Sequence, residues 1–330
     1  MTTNKTPVEQ TVALLQERGK PALEVAKQLI QQEKITYQPL QKAVHYFVEK
    51  FFRDVMQPGL LSLYCEAVGG NSNETTQVGA AMVLLVGAAD LHDDIIDNTK
   101  TKNGRQTVFG KFGKEITVLA GDAMLIQGVF LLNEATKQFA ETKRAAILNL
   151  IKDAFFDLSS AEAEEANYRG KADLTGKQYL EIIKKKTAVA EMTARIGAIL
   201  GNGTANEVET IGKIGYALGL LNTIRDEFID IFDFEELTNR ASGEILPLPI
   251  LFVFQNPSKK NAITQLLKGR RITKKKTEKI VDVVMEAKET EELRNFMASQ
   301  IRESISQLSS LTKGRETLKL LLESTLEDLQ

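Results

Sequence analysis

Four aspartates, Asp90, Asp93, Asp94 and Asp97, close the stretch MVLLVGAADLHDDIID that begins at Met82. Helical spacing brings residues three and four apart onto one face, so these carboxylates can share one side. Like charges one turn apart repel and weaken an isolated helix. A cluster of them at the end of an apolar stripe therefore points to a site completed by a cation. An oxygen-only donor set suits Mg²⁺, which keeps several waters and takes its remaining ligands from phosphates. The alternative is a solvated helix end that is merely acidic.

A second cluster lies about 130 residues on, in GLLNTIRDEFIDIFDFEE. Asp226, Glu227 and Asp230 repeat two adjacent acids followed by a third three residues later, and Asp233 continues the run. Two clusters of matching spacing can face each other across a helical bundle and hold several cations. After the first cluster comes the polar, Gly-punctuated segment Asn98–Lys114, read as a loop carrying Lys100, Lys102, Arg105, Lys111 and Lys114. Basic residues beside bound metal suit a diphosphate, although most of them, taken singly, read as surface charge. Metal-neutralised pyrophosphate departure, with apolar helices sheltering a hydrocarbon cation from water, is the chemistry this pattern allows. A phosphohydrolase could use the same aspartates but would not need the apolar wall beneath them. With two histidines, His45 and His92, and one cysteine, Cys65, no nucleophile–base constellation competes.

The elements that must position these groups read as helices. The chain has 330 residues, 43% of them hydrophobic, with 7 prolines, no Trp and few alternating runs, which predicts a mostly helical protein. Helical patterns cover Val8–Gln32 with a break near Gly19–Pro21, then Pro39–Ala67 with Pro58 as a kink or first-turn residue. After a Gly69–Gly70–Asn71 stop, further patterns start near Thr75, Glu115 and Glu141, run from Gln178 to Gly201, and start again at Asn206. A loop with Pro247, Pro249 and Pro257 follows. The basic run Gly269–Lys279 reads as a solvated helix start capped by Thr273, without the interleaved aromatics of a nucleic-acid surface. A net charge of −2 gives no reason to expect nucleic acid or anionic membrane as partner. The longest apolar run, Gly79–Ala89, is short for a bilayer, the N-terminus lacks a signal pattern, and the single cysteine fits a reducing cytoplasm. A soluble, single-domain chain over residues 1–330 is the expectation.

The ordered landmarks DDIID, GRQTVFGKFG, AGDAML, YLEIIKKKT and LGLLNTIRDEFID, spread over roughly residues 55 to 250, resemble those of the trans-isoprenyl diphosphate synthases, or polyprenyl synthetases. The resemblance implies an all-α bundle of long helices around a central cavity, Mg²⁺ dependence and a homodimer. It also implies condensation of an allylic diphosphate with isopentenyl diphosphate by ionisation, addition and proton loss. It assigns metal binding to Asp93, Asp94, Asp97, Asp226, Glu227 and Asp230. Catalytic work falls to Asp93, Asp94, Lys186 and Thr187, and diphosphate binding to Lys102, Arg105 and Lys186.

Departures from the family pattern concentrate elsewhere. Glu227 stands where the second motif usually has aspartate, Asn222 and Thr223 replace a Phe-Gln pair, and Lys102–Asn103 replace two arginines. At the isopentenyl diphosphate pocket, Asp54 and Gln57 occupy the usual lysine and arginine positions, and Val86 that of a histidine. Lys50 and Arg53 keep Lys-x-x-Arg spacing one helical turn early, as replacement ligands or as surface residues. Gly87, Ala88 and Ala89 leave a product tunnel open below the first motif or, equally, serve close helix packing. Three functions remain: a prenyltransferase making geranylgeranyl or longer diphosphates, a terpene synthase or other prenyl transfer without isopentenyl diphosphate, and a non-catalytic subunit of an active synthase.

Overall fold

The computed structural model describes residues 6–169, 173–268, 272–311 and 313–325. The first three residues of the basic run, 269–271, lie outside the described residues. Sixteen α-helices dominate the described chain, with one two-stranded hairpin as the described strand content, in agreement with the all-α expectation. Contacts gather into two compact units, each assembled from separated stretches: 1–150, 193–211 and 311–317 in the first, 151–192, 212–310 and 318–330 in the second.

The first unit is built on α1 (Pro7–Gln32), α2 (Gln38–Lys50), α3 (Met56–Ala67), α4 (Thr76–Ile96), α5 (Val108–Phe112) and α6 (Lys114–Thr136). A Thr6–Glu9 capping box starts α1. Its stripe Leu15, Gly19, Ala22, Leu23, Ala26 and Ile30 is buried against α3 and α4. The break expected at Gly19–Pro21 does not occur: the helix runs through Pro21. Burial of the continuous stripe offsets the lost proline hydrogen bond, and Gly19 marks a close approach instead. A Cβ there would stand 2.2 Å from the Val55 carbonyl oxygen.

Between α2 and α3 the chain turns at residues 51–55, and Pro58 sits in the first turn of α3, where a missing N–H costs nothing. The apolar helix α4 packs along α6, and their shared core joins Ala80, Val83, Leu84, Ala88, Leu91, Ala120 and Met124 to Phe47 and Phe52. By length and composition α6 is long and apolar enough to cross a membrane, although polar residues interrupt its apolar run. One face is buried at Thr117, Ala120, Gly121, Met124 and Gly128, while Leu119, Ile126, Val129 and Phe130 point outward.

The second unit contains α8 (Gly176–Lys186), α11 (Phe234–Gly243), α12 (Leu248–Val253), α13 (Pro257–Leu267), α14 (Lys274–Met285), α15 (Lys288–Gln307) and most of α16 (Arg315–Ser324). Helices α7 (Glu141–Tyr168), α9 (Ala188–Leu200) and α10 (Ala205–Ile229) contribute residues to both units. The core here is Ile231, Leu237, Ile250, Val253, Ile263, Ile280 and Val284. The segment read as a loop after Asn239 instead holds short helices, each starting at or beside a proline in the first turn. Thr273 caps α14 as expected. The pattern read as one helix over Gln178–Gly201 is two, separated at Thr187, whose hydroxyl donates to the Lys184 carbonyl at 2.6 Å. That bond competes with continuation of the helix ladder.

Replacing Gly19 by Ala should lower stability by about 1–3 kcal/mol, despite alanine's better helix propensity, because the Val55 backbone must move. Thermal unfolding checks this, and an unchanged or raised Tm would contradict the close approach.

Candidate functional site

Asp90, Asp93, Asp94 and Asp97 occupy the last two turns and the C-cap of α4, where the helix dipole already favours cations, and the last turn contains no basic residue. Val86, Ala89, Asp90 and Asp93 lie on the stripe of α4 left at least partly open, while Asp94 is buried. Lys102 pairs with this cluster, its ammonium 2.8 Å from Asp94 Oδ1. Burial pushes the Asp94 carboxyl up and Lys102 pulls it back. On Lys102 burial acts downward, but Asp94, Asp90 and Asp93 outweigh it and raise the ammonium. Asp90 is pushed up to about 6. Its side chain still reaches solvent, yet protein atoms crowd it, and Asp54, Asp93 and Asp94 add like charge against the pull of Lys102.

Local turn chemistry delivers Lys102. The segment read as a loop is a hairpin, β1 (Thr101–Lys102) paired with β2 (Arg105–Gln106) across Asn103 and Gly104. Both turn residues have positive φ, 52° and 69°, as a two-residue Asn-Gly hairpin turn requires. The Thr99 N–H donates to the Asp94 carbonyl and Thr107 Oγ1 to the Thr99 carbonyl, both at 2.8 Å. Tyr46 on α2 donates its hydroxyl to the Gln106 carbonyl at 2.7 Å, and the Lys111 ammonium covers its ring at 3.9 Å. Arg105 is exposed on β2.

The positions expected to bind a second diphosphate are otherwise occupied. Asp54 Oδ1 accepts the Met56 N–H at 2.7 Å, and Gln57 Oε1 accepts the Thr193 hydroxyl at 2.7 Å. Lys50 ends α2 exposed, 3.9 Å from Glu49, and Arg53 is exposed in the following turn. Neither makes an ion pair with the aspartates among the described residues. At Gly87 a Cβ would stand 2.6 Å from the Phe52 ring and 2.9 Å from Met124, so this small residue serves close packing.

The second cluster and Lys186 belong to the second unit. Glu227 is buried. Its Oε1 accepts the Tyr179 hydroxyl at 3.1 Å and Arg240 Nη2 at 2.7 Å, and its Oε2 accepts the Leu248 N–H at 2.7 Å. Arg240 Nη2 also donates to Asp230 Oδ2 at 2.5 Å. Burial alone would lower the guanidinium, but Glu227, Tyr179 and Asp230 hold it well above its ordinary value. Asp226 is exposed; burial of its surroundings raises it, and Arg225 supplies the opposing pull. Asp233 caps α11 through the Glu235 and Glu236 N–H groups and so does not extend the cluster. The Lys186 ammonium pairs with Glu162 at 3.0 Å and with Glu165. Burial would lower it, but these glutamates raise it. Thr187 is buried beside it.

Arg240, Tyr179, Glu162 and Glu165 are functional neighbours that the sequence reading missed. The acids of SSAEAEEANY at helical spacing carried a signal for the last two. A cavity of about 480 Å³ in the second unit is lined by Asp157, Ser160, Glu164, Lys185 and Tyr216 among others, and by none of the expected site residues.

Among the described residues no three acidic, His or Cys side chains close on one point as a self-sufficient metal cage. The first cluster nonetheless fits Mg²⁺. Its donors are oxygens, their mutual repulsion calls for a cation, and buried Asp94 Oδ1 has no hydrogen bond of good geometry beyond its ion pair. The second cluster fits less well, because an arginine already bridges two of its three acids.

The sequence model for polyprenyl synthetases matches residues 38–284, well over half of the chain. This chain belongs to the polyprenyl synthetase family. Among similar proteins, the short chain isoprenyl diphosphate synthase of Methanothermobacter thermautotrophicus is 28% identical over 191 residues, 57% of each chain. The geranylgeranyl diphosphate synthase of Methanosarcina mazei is 24% identical over 284 residues, 86% of this chain and 87% of that one. The crystal structure of geranylgeranyl pyrophosphate synthetase from Pyrococcus horikoshii shares the fold, with a TM-score of 0.83 at 22% identity, covering 97% of this chain and 98% of that one. The matched stretch thus spans little more than half of the first relative.

For this family member the Asp90 carboxyl predicts a pH signature. A carboxyl raised to about 6 in the fold from 3.8 disfavours folding once ionised. Its contribution is fully present below about pH 4 and lost as pH rises through 6. Asp90→Asn should therefore raise the Tm of the metal-free protein at pH 7.5 by about 2 °C, discounted for solvent contact, and leave it unchanged near pH 4. Thermal melts in chelator across this range check it. A pH-independent difference would show that charge is not the cause.

Proposed function

We propose that the chain is a Mg²⁺-dependent trans-prenyltransferase of the cytoplasm. It condenses an allylic diphosphate with isopentenyl diphosphate, gives geranylgeranyl diphosphate or a longer product, and releases pyrophosphate. The observation that carries this reading is the crowd of Asp90, Asp93 and Asp94 at the end of apolar α4, with Lys102 brought to it by a hairpin. Family membership supports it, as do the synthase names of the relatives.

In the reaction the allylic C–O bond breaks with its electron pair going to the departing pyrophosphate. The double bond of isopentenyl diphosphate then supplies the pair for the new C–C bond, and a proton leaves the adjacent carbon. Bound Mg²⁺ would supply charge neutralisation of the leaving group, with Asp93, Asp94 and Asp97 as its first-cluster ligands. At the first cluster Lys102 adds a positive charge for phosphate oxygens. In the second unit Lys186, pinned by Glu162 and Glu165, is the cation that the resemblance assigns to diphosphate, and Thr187 sets the helix break beside it. Arg105, Lys50 and Arg53 are exposed cations available to the second diphosphate.

A specific observation favours the reading without isopentenyl diphosphate: Asp54 lies in the electrostatic field of Asp90, where basic ligands would be expected. A product assay separates the readings, using Mg²⁺, labelled isopentenyl diphosphate and C5 to C20 allylic primers. Label in a longer prenyl diphosphate is expected. Pyrophosphate release without label would favour another acceptor, and neither signal would favour the non-catalytic subunit. Asp93→Ala and Asp94→Ala should each lower turnover roughly 100-fold or more with the fold intact. Lys50→Ala with Arg53→Ala should raise the KM for isopentenyl diphosphate, and an unchanged KM would remove both from the pocket.

The homodimer is likewise our reading, seated on the outward face of α6. Leu119, Ile126, Val129 and Phe130 are 51%, 56%, 48% and 63% exposed, a contiguous helical face of the kind that partners cover. Light scattering should give a dimer mass for the wild type and a monomer mass for Phe130→Glu. A Phe130→Glu variant that stays dimeric would place the interface elsewhere.

A further inference from the structure

The second acidic cluster already contains a cation. Arg240, on α11, has a side chain 11% exposed, and that of Glu227 is 6% exposed. The guanidinium spends Nη2 on Glu227 Oε1 and Asp230 Oδ2, donates Nη1 to the Ile245 carbonyl at 3.1 Å, and faces Glu236 from Nε at 3.7 Å. Both oxygens of Glu227 are committed, one to Arg240 and the Tyr179 hydroxyl, the other to the Leu248 N–H. A divalent ion at Glu227 would have to displace a guanidinium, a phenol and a backbone amide, and would be repelled by the arginine it approached.

Asp226 is different. Adjacent helical residues point about 100° apart, and Asp226 reaches solvent, its backbone carbonyl accepting the Asp230 N–H at 2.9 Å and its carboxylate drawn on by the charge of Arg225. Asp230, four residues on, shares its face and commits Oδ2 alone to Arg240. The extra methylene that distinguishes glutamate from aspartate lets residue 227 turn away from that face and reach Tyr179 and the 244–248 segment.

We propose that Arg240 is the resident cation of the second cluster: it holds Glu227 as a positioning residue for the end of α10, and leaves Asp226 with the remaining oxygen of Asp230 to bind a divalent ion. This rests on the reading that the acidic clusters bind divalent ions with a diphosphate. It removes Glu227 from the metal ligands that the resemblance implied.

The test counts Mn²⁺ bound by the full chain in the presence of inorganic pyrophosphate, from the free-ion paramagnetic resonance signal. Glu227→Gln should bind as many Mn²⁺ ions as the wild type, whereas Asp226→Asn should bind one fewer or bind about tenfold more weakly. Loss of an ion in Glu227→Gln, with Asp226→Asn as comparison, would overturn the assignment. A second readout keeps the pairing testable if a single variant folds poorly. Arg240→Gln strands a buried Glu227 charge, so the Arg240→Gln/Glu227→Gln double variant should melt at a higher temperature than Arg240→Gln alone. Additive losses of Tm would show that Arg240 is not the counter-ion of Glu227. If the wild type binds no Mn²⁺, the metal reading of the proposed function fails, and the Tm comparison still decides the pairing.

Discussion

Repulsion among carboxylates at the C-terminal end of α4 is the constraint on which the first site depends. Asp90, Asp93 and Asp94 stand at the negative end of the helix dipole, with Asp54 adding to their field and Lys102 as the counter-charge that the structure shows. A chain selected for stability alone would not collect them there. Asp94 is held in place by burial, the hairpin by Thr107 and Tyr46, and the helix by apolar packing against α6. Each of these keeps apart from solvent or fixes in direction a charge that would otherwise relax outward. The outcome is a preorganised anionic surface, the arrangement that electrostatic catalysis with a metal needs.

The two clusters answer the same problem of charge in different ways. The first leaves Asp90 and Asp93 open to solvent, buries Asp94 and takes one lysine from a neighbouring hairpin, so a divalent ion with its waters can reach the open carboxylates. The second draws two acids inward onto Arg240, and removing one partner of such a buried network typically costs about 3–5 kcal/mol. Tyr179, Leu248 and Ile245 then link α8, α11 and the segment before α12 to the same point. What resembles a repeated metal motif along the chain is thus, in three dimensions, one partly open set of carboxylates and one largely satisfied polar network.

Much of this was legible because it is local. Apolar spacing showed the helices, the DDIID and RDEFID patterns showed the clusters, and the ordered landmarks between them showed the family. The Asn103–Gly104 hairpin was also written in the sequence, as an Asn-Gly pair between short strands, but the surrounding polarity read as loop. Pro21 looked like a break because the sequence does not display the packing that carries α1 through it. Thr187 divides a helix with a single hydroxyl bond, below the resolution of periodicity. Arg240 was invisible for a different reason: nothing at position 240 announces that its guanidinium meets acids 10 and 13 residues earlier, and that contact changes the role of Glu227. Gly87 gave an ambiguous signal that Phe52 resolves by filling the adjacent space.

The central claim is that the first cluster is a place prepared for a divalent ion carrying diphosphate. Thermal unfolding of the wild type and of Asp93→Asn, in chelator and in Mg²⁺ with inorganic pyrophosphate, tests it directly, because a ligand bound only by the folded state raises Tm. The account predicts a rise for the wild type when Mg²⁺ and pyrophosphate are present together, and a much smaller rise for Asp93→Asn. Equal shifts in the two proteins, or none in the wild type, would contradict it.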